Sequence, residues 1–206
     1  MTSTSGTEGR RGRSIEKRRA MLQAARELFV KEGYELASVD AIAARANVSK
    51  RTVYDHFGDK ETVFAAVLEE LGEKLSATVQ VALDREASAT GDLRARLLGF
   101  ARYFVMESFP SSDYAHYRRL SARRGSWYRD RESAISVAME LFVGRVEEWA
   151  EAGVINTDNP RRAAQHFVAL TFQLAFEALE RTETDVSGEV DEILVDGVDV
   201  FVRAYG

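Results

Sequence analysis

Residues 38–60 read SVDAIAARANVSKRTVYDHFGDK, and their punctuation divides them into two short helices joined by a turn. Ser38 opens the first helix as an N-cap whose hydroxyl can accept from an amide one turn on, and Asp40 stands in the first turn, where the helix dipole favours negative charge. Val39, Ile42, Ala43 and Ala46 then fall on one face. Asn47 is expected in the left-handed conformation that ends a helix, which asparagine tolerates and bulkier residues resist. Ser49 caps the second helix, Lys50 to Phe57, with Val53 and Phe57 facing inward and Gly58 as its stop. A helix of two turns is unstable alone and exists only if its neighbours hold it. That requirement leaves Lys50, Arg51, Thr52 and Tyr54 pointing outward.

The neighbours are legible on either side. Upstream, Ile15, Leu22, Ala25 and Phe29 keep to one face at helical spacing, and Gly33 follows as the stop. Downstream, Asp59 caps a longer helix from Lys60 through Phe64, Val67, Leu68, Leu71 and Leu75 to about Leu83. Three helices, the second and third joined by Asn47-Val48, with a basic outward face on the third, make a helix-turn-helix. A helix fits the major groove of duplex DNA, its free N-terminal amides favour phosphate, and Lys or Arg in its first turn can donate to guanine edges. The first turn here is Ser49-Lys50-Arg51-Thr52. Tyr54 and His56, further along, and Lys60, at the head of the next helix, can donate to backbone phosphates.

Charge is distributed to match. The 206 residues carry a net charge of −5, yet residues 1–60 hold twelve Lys/Arg against eight Asp/Glu, a balance of +4, and the remainder stands at −9. The first third suits a polyanion, although a basic tail on an acidic protein would give the same figures.

The run from Gly33 to Leu68, in particular Ser38-Val39-Asp40-Ala41-Ile42-Ala43, Ala46-Asn47-Val48-Ser49, Thr52-Val53-Tyr54-Asp55-His56-Phe57 and Lys60-Glu61, closely resembles the DNA-binding domain of TetR-family transcriptional regulators. Asn47 stands where that family most often has glycine, and Lys50-Arg51 replace a small residue. The resemblance implies a homodimer that binds a palindromic operator in double-stranded DNA and releases it when a small molecule enters the C-terminal domain. It also implies that Ser38, Ser49, Thr52, Tyr54, His56 and Lys60 hold phosphates while Lys50 and Arg51 read bases. The expected domains are a flexible basic arm over 1–13, a helix-turn-helix domain over 14–60 and an effector-binding and dimerisation domain over 61–206. Arg10, Arg11 and Arg13 of the arm could follow a minor groove or remain a solvated tail.

Beyond the first domain every segment keeps helical periodicity and none alternates as a strand, so the chain is expected to be all-α with about nine helices. The later ones run from Asp92 to Ser108, from Asp113 to Ala122, over 127–152, from Pro160 behind an Asn159 cap to Arg181, and from Ser187 to Ala204. In the fold that the resemblance implies, Phe64, Leu68, Leu71, Phe100, Tyr103 and Phe104 would line a cavity together with Tyr117, Met139, Phe142, Phe167 and Thr171. Any of them could equally be core. Thr171, Gln173, His116 and Arg102 are the polar groups that could orient a ligand there.

The helix from Pro160 has two apolar faces, Phe167, Thr171, Leu174 and Ala178 on one and Phe172, Phe176 and Leu179 on the other, and the last helix is similarly broad. A monomer needs one such face. Phe172, Phe176, Leu179, Val195, Val198 and Val202 are therefore assigned to a homodimer contact, as the resemblance also implies, the alternative being an extra-deep core within one chain.

Several function classes are unfavourable. There is no cysteine, which removes disulfide scaffolds, thiol nucleophiles and the usual zinc modules. No stretch reaches ~18 consecutive apolar residues and the first residues lack a signal-peptide core, so a cytoplasmic protein with no membrane partner is expected. No nucleophile elbow, phosphate-binding glycine loop or His-Glu-x-x-His motif occurs, so no enzyme, cofactor or metal is expected. The competing function is a helix-turn-helix protein whose C-terminal domain recruits a protein partner without a small-molecule effector.

Overall fold

The computed structural model describes residues 5–87, 92–108, 120, 134–181 and 186–206, which form eight helices and no strand. The described residues up to Leu71, with Leu120, make one compact unit and the rest a second.

The first unit contains α1 (Ser5–Glu32), α2 (Val39–Arg45), α3 (Lys50–Phe57) and the opening turns of α4 (Lys60–Ala87). Met21, Leu22, Ala25 and Phe29 from α1, Ile42 from α2, Val53 and Phe57 from α3, and Val63, Phe64, Leu68 and Leu71 from α4 are buried. Phe64 is held edge-on by Phe29 and Tyr34, with ring centroids 5.1 and 5.0 Å away. These contacts place Phe64 inside the helix-turn-helix unit, which extends past the expected boundary at residue 60. Asn47 takes φ 53°, and Gly33 and Gly58 take φ 84° and 82°, so all three stops are left-handed as expected.

One expectation fails at the amino end. Residues 5–13, expected to be a flexible arm, continue α1. Once Met21 to Phe29 are anchored, each residue added at the N-terminal end gains a backbone hydrogen bond without a new nucleation cost, and Arg and Glu are good helix formers.

The second unit contains the rest of α4 and four further helices. Helix α5 runs over Leu93–Arg102 and ends in a π-helical turn, Tyr103–Ser108. Helix α6 is Ala134–Glu151. Helix α7 comprises Pro160–Val168, a π-helical turn Ala169–Gln173 and Leu174–Arg181. Helix α8 is Ser187–Tyr205. The expected helix over 113–122 lies outside the described residues except for Leu120, as does the start of the helix expected over 127–152.

Caps open these helices where the sequence places them: Asp92 accepts from the Ala95 amide at 2.8 Å and Asn159 from the Arg162 amide at 3.0 Å. The core is aromatic, with Phe100, Phe104, Phe142, Phe167, Phe172, Phe176 and Phe201 all buried. Phe100 stacks on Phe142 at 5.2 Å and Phe167 meets Phe201 edge-on at 5.3 Å. Two ion pairs tie α5 to α8, Arg94 with Asp199 at 2.5 Å and Arg102 with Asp191 through two hydrogen bonds of 2.6 and 2.8 Å. Arg161 of α7 makes the same kind of fork with Glu140 of α6, at 2.8 and 2.6 Å.

The π turn of α7 resolves the two apolar faces seen in its sequence. A π turn takes one more residue than the chain would otherwise need. Phe167 and Phe172, five apart, are both buried, so the inner face passes from the stripe of Phe167 to the stripe of Phe172 and Phe176. Apart from Leu174, which is exposed, both faces therefore serve one core. The side chain of Thr171 closes the distorted ladder by donating to the Phe167 carbonyl at 2.7 Å. Opposite, Gly197 of α8 lets the helices touch: a Cβ there would overlap the Leu170 carbonyl and stand 2.9 Å from Thr171 Cγ2.

Candidate nucleic-acid interface and apolar cavity

The recognition surface is built from caps. Ser38 Oγ accepts from the Ala41 amide and Ser49 Oγ from the Thr52 amide, each at 3.1 Å, so the first turns of α2 and α3 are fixed before any ligand arrives. Ser49 and Thr52 also share a hydroxyl hydrogen bond of 2.8 Å. Arg45 holds α2 to α1 through Glu27 at 2.5 Å, a bond that lowers the Glu27 pKa. On this frame Tyr54 is 44% exposed, and the side chain of Arg51 is 90% exposed with Asp55 at 3.8 Å. His56 is half-buried against Phe57, centroids 6.2 Å apart.

Two of the expected DNA residues have partners that the sequence did not reveal. Lys50 Nζ donates to Asp40 Oδ2 at 2.8 Å, which raises the lysine pKa. Lys60 Nζ lies 4.4 Å from the centre of the Tyr34 ring and donates to the Glu35 carbonyl at 3.2 Å. Arg18 of α1, absent from the expected set, lies 5.3 Å from the centre of the Phe57 ring at the end of α3. These pairs join residues 10, 25 or 26, and 39 positions apart, beyond the reach of helical spacing.

In the second unit an apolar cavity of about 60 Å³ is lined by Leu75 and Val79 of α4, Phe100 and Phe104 of α5, Ala138, Met139 and Phe142 of α6, and Val168 and Phe172 of α7. Of the residues expected there, Phe100, Phe104, Met139 and Phe142 are present. Leu75 continued a stripe already visible on α4, whereas Ala138 and Val168 gave no signal.

The others are placed elsewhere. Phe64, Leu68 and Leu71 belong to the first unit. Phe167 and Thr171 are wholly buried beside the cavity without lining it, and Tyr103 is half-buried under Arg85, 4.7 Å from its ring centre. Tyr117 and His116 lie outside the described residues. Among the suggested polar groups, Arg102 is committed to Asp191, Thr171 to Phe167, and Gln173 donates to Glu177 at 3.3 Å.

The expected dimer residues also divide. Phe172, Phe176 and Val198 are buried within the chain's own core. Val195 and Val202 are half-buried on the flank of α8 that carries Asp191 and Asp199 toward α5. Leu179 packs partly against the same core. Among the described residues of α7 and α8, the exposed apolar groups are on the other flank, Leu174 and Val200, each 46% exposed, beside half-buried Leu170; Ile193, also half-buried there, packs partly against the core. The extra residue of the π turn is what moved the positions on α7.

A capped helix-turn-helix with an exposed basic turn, followed by an all-helical unit, defines a DNA-binding regulator. Residues 21–67 match the family described as bacterial regulatory proteins, tetR family, and residues 115–206 match the AefR-like transcriptional repressor C-terminal domain. The chain belongs to the TetR family of transcriptional regulators.

Among its relatives, the HTH-type transcriptional activator FasR of Mycolicibacterium smegmatis is 37% identical over 102 residues. That match covers 48% of this chain and about half, 47%, of FasR. The HTH-type transcriptional repressor AcnR of Corynebacterium efficiens is 27% identical over 92% of this chain and 94% of its own length. A solved TetR-family regulator from Mesorhizobium loti has the same fold, with a TM-score of 0.80 at 24% identity over 94% of this chain and 98% of its own. No helix among the described residues is long and apolar enough to cross a membrane.

Proposed function

We propose that this protein is a cytoplasmic repressor that grips a palindromic operator as a homodimer and lets go when a small apolar compound enters the second unit. The observation that carries the reading is the cavity, whose lining is hydrocarbon and aromatic and includes Leu75 and Val79 of the helix that starts at Lys60 beside the recognition helix. An apolar void of ~150 Å³ accepts a benzene-sized guest, so a compound of that size or larger enters a cavity of about 60 Å³ only by moving its walls.

Helix α4 is continuous from Lys60 to Ala87, and a push on Leu75 or Val79 is delivered to a rod that also carries the first unit's Val63 and Phe64. Two recognition helices enter successive major grooves only when about 34 to 36 Å apart, so a shift of a few ångströms at each α3 loses one half-site. The ligand lowers operator affinity by no more than its preference for the DNA-incompetent arrangement.

Dimerisation is assigned to the flank of α7 and α8 that carries Leu170, Leu174 and Val200, apolar positions that the chain's own core leaves exposed or half-exposed, with partly packed Ile193 beside them. Asp196 and Arg203 edge the same side of α8 and form its polar rim.

The test has two parts. The chain is used to select duplexes from a random pool, which should return a palindrome, and a panel of small apolar compounds is then screened for a raised melting temperature and for release of the selected duplex. Ala138→Leu, which fills the cavity from α6, should abolish both effects of the active compound while leaving duplex binding intact. If release by the compound survives Ala138→Leu unchanged, the effector site is not this cavity. A protein that selects a palindrome but answers to no compound is better described by partner recruitment.

A further inference from the structure

Helix α7 has the cavity on one side and the flank assigned to dimerisation on the other. Val168 and Phe172 line the cavity. Leu170 and Leu174, two residues on from each, are half-buried and 46% exposed respectively. At 3.6 residues per turn a step of two rotates the side chain by about 200°, so the two pairs point to opposite sides of a rod roughly 10 Å across. The π turn Ala169–Gln173 stands between Val168 and Leu174, and its geometry sets where both pairs point.

The same turn is where α7 meets α8. The Leu170 carbonyl and Thr171 Cγ2 press on Gly197 so closely that no Cβ would fit there. Ile193 and Val200, four residues before and three after Gly197, share its side of α8, so the closest approach of the two helices adjoins the flank. A cavity wall pushed outward at this point has no void to enter. It is relieved when α8 gives way or when the π turn surrenders its extra residue. Such a turn holds one residue more than an α-helical path needs on a weakened ladder, closed here by the Thr171 hydroxyl on the Phe167 carbonyl at 2.7 Å. Either movement displaces Leu170 and Leu174 relative to Val200.

We propose that the π turn of α7 couples the cavity to self-association: an apolar guest that displaces Val168 and Phe172 deforms the flank at Leu170 and Leu174 and weakens the contact with a second copy of the chain. This rests on the reading that the cavity accepts an apolar guest and that this flank dimerises. It adds a route of control distinct from the push along α4, because the guest acts on the dimer with no DNA present. Coupling between two binding events is reciprocal, so dimerisation lowers guest affinity by the same factor.

Benzene is the probe, since a guest of its size exceeds a cavity of about 60 Å³ and must move the walls. Sedimentation of the full chain over a range of concentrations gives the dimer dissociation constant, which saturating benzene should raise roughly five-fold or more. Ala138→Leu, which fills the cavity, should abolish that rise and so exclude action of benzene on the flank itself. Deleting exposed Ala169 removes the extra residue, brings Val168 and Phe172 to a three-residue step and keeps Leu170 and Leu174 at four, so both faces survive in a regular helix. That variant should still dimerise and still gain melting temperature with benzene, but its dimer constant should no longer respond. Hydrogen exchange on the parent supplies the same answer if the deletion prevents folding: benzene should change the protection of the amides over residues 169–174.

A dimer constant that ignores benzene, while benzene raises the melting temperature, overturns the inference and leaves the cavity reading standing. A rise that survives Ala138→Leu or the deletion also overturns it, as does unchanged protection over residues 169–174. A parent that gains no melting temperature from benzene removes the cavity reading, and a parent monomeric at every concentration removes the dimer reading; the inference falls with either.

Discussion

At Arg51 the side chain is extended into solvent with Asp55 3.8 Å away, whereas Lys50, one residue earlier, is already bound to Asp40. The two expected base readers are therefore unequal. Arg51→Ala should relax base preference at one or two positions of each half-site, costing about 1 to 3 kcal/mol per lost bidentate contact, which a repeated selection would reveal. Asp40→Asn, which frees Lys50, should tighten binding at low salt and steepen the salt slope; an unchanged slope would mean that Lys50 never leaves the pair.

A second residue, Asp191, links stability to acid. Its two bonds from Arg102 hold its pKa below the ordinary 3.8, so the folded state binds a proton less readily than the unfolded chain does. The stabilisation is present above that ordinary value and fades as pH falls through the lowered one. Parent and Asp191→Asn should differ in urea midpoint at neutral pH and converge below about pH 4. What was legible at this scale was local: the caps Ser38, Ser49, Asp92 and Asn159 and the stop Asn47 act within one turn of themselves. The partners of Lys50 and Arg102 come from other helices and those of Lys60 from the turn between α1 and α2, and none leaves a mark in the spacing.

Elements were legible where the 3.6-residue period is unbroken, as in α2, α3 and α4, and misread where it is not. The π turn of α7 shifts the inner face by one residue, so a regular period applied over Pro160 to Arg181 made one buried face look like two and sent Phe172 and Phe176 to a dimer contact. A second π turn, at Tyr103–Ser108 in α5, stands across the cavity from the first, with Phe104 and Phe172 at 4.8 Å between centroids. Such turns weaken the local ladder and recur at functional sites, which fits walls that must move for a ligand. Gly197 makes the α7 turn possible from the other side. Gly197→Ala puts a methyl into the Leu170 carbonyl, where backbone rather than a flexible side chain must yield, and should cost about 3 kcal/mol in denaturant unfolding. A loss under about 0.5 kcal/mol would mean that α8 shifts freely against the turn.

For the whole molecule, the regulator class was legible in the run from Gly33 to Leu68, whereas the flank we propose for dimerisation and the cavity lining required the fold. Leu174→Asp together with Val200→Asp should leave a folded monomer in sedimentation and abolish tight binding to a palindrome while sparing weak binding to single half-sites. A dimer that persists would move the interface off this flank. The remaining consequence belongs to α4. Its 28 residues run unbroken from a first half buried through Val63, Phe64, Val67, Leu68 and Leu71 to a second half buried through Leu75, Val79, Ala82 and Leu83, and the division between the two units falls inside it, after Leu71. Melting of either unit leaves the other unit's half of α4 with a new frayed end whose backbone groups lose their helical partners. The chain should therefore denature as one body despite having two cores: a single calorimetric peak, with calorimetric and van't Hoff enthalpies equal, and proteolytic cutting between Leu71 and Leu75 suppressed until the temperature at which everything else is lost.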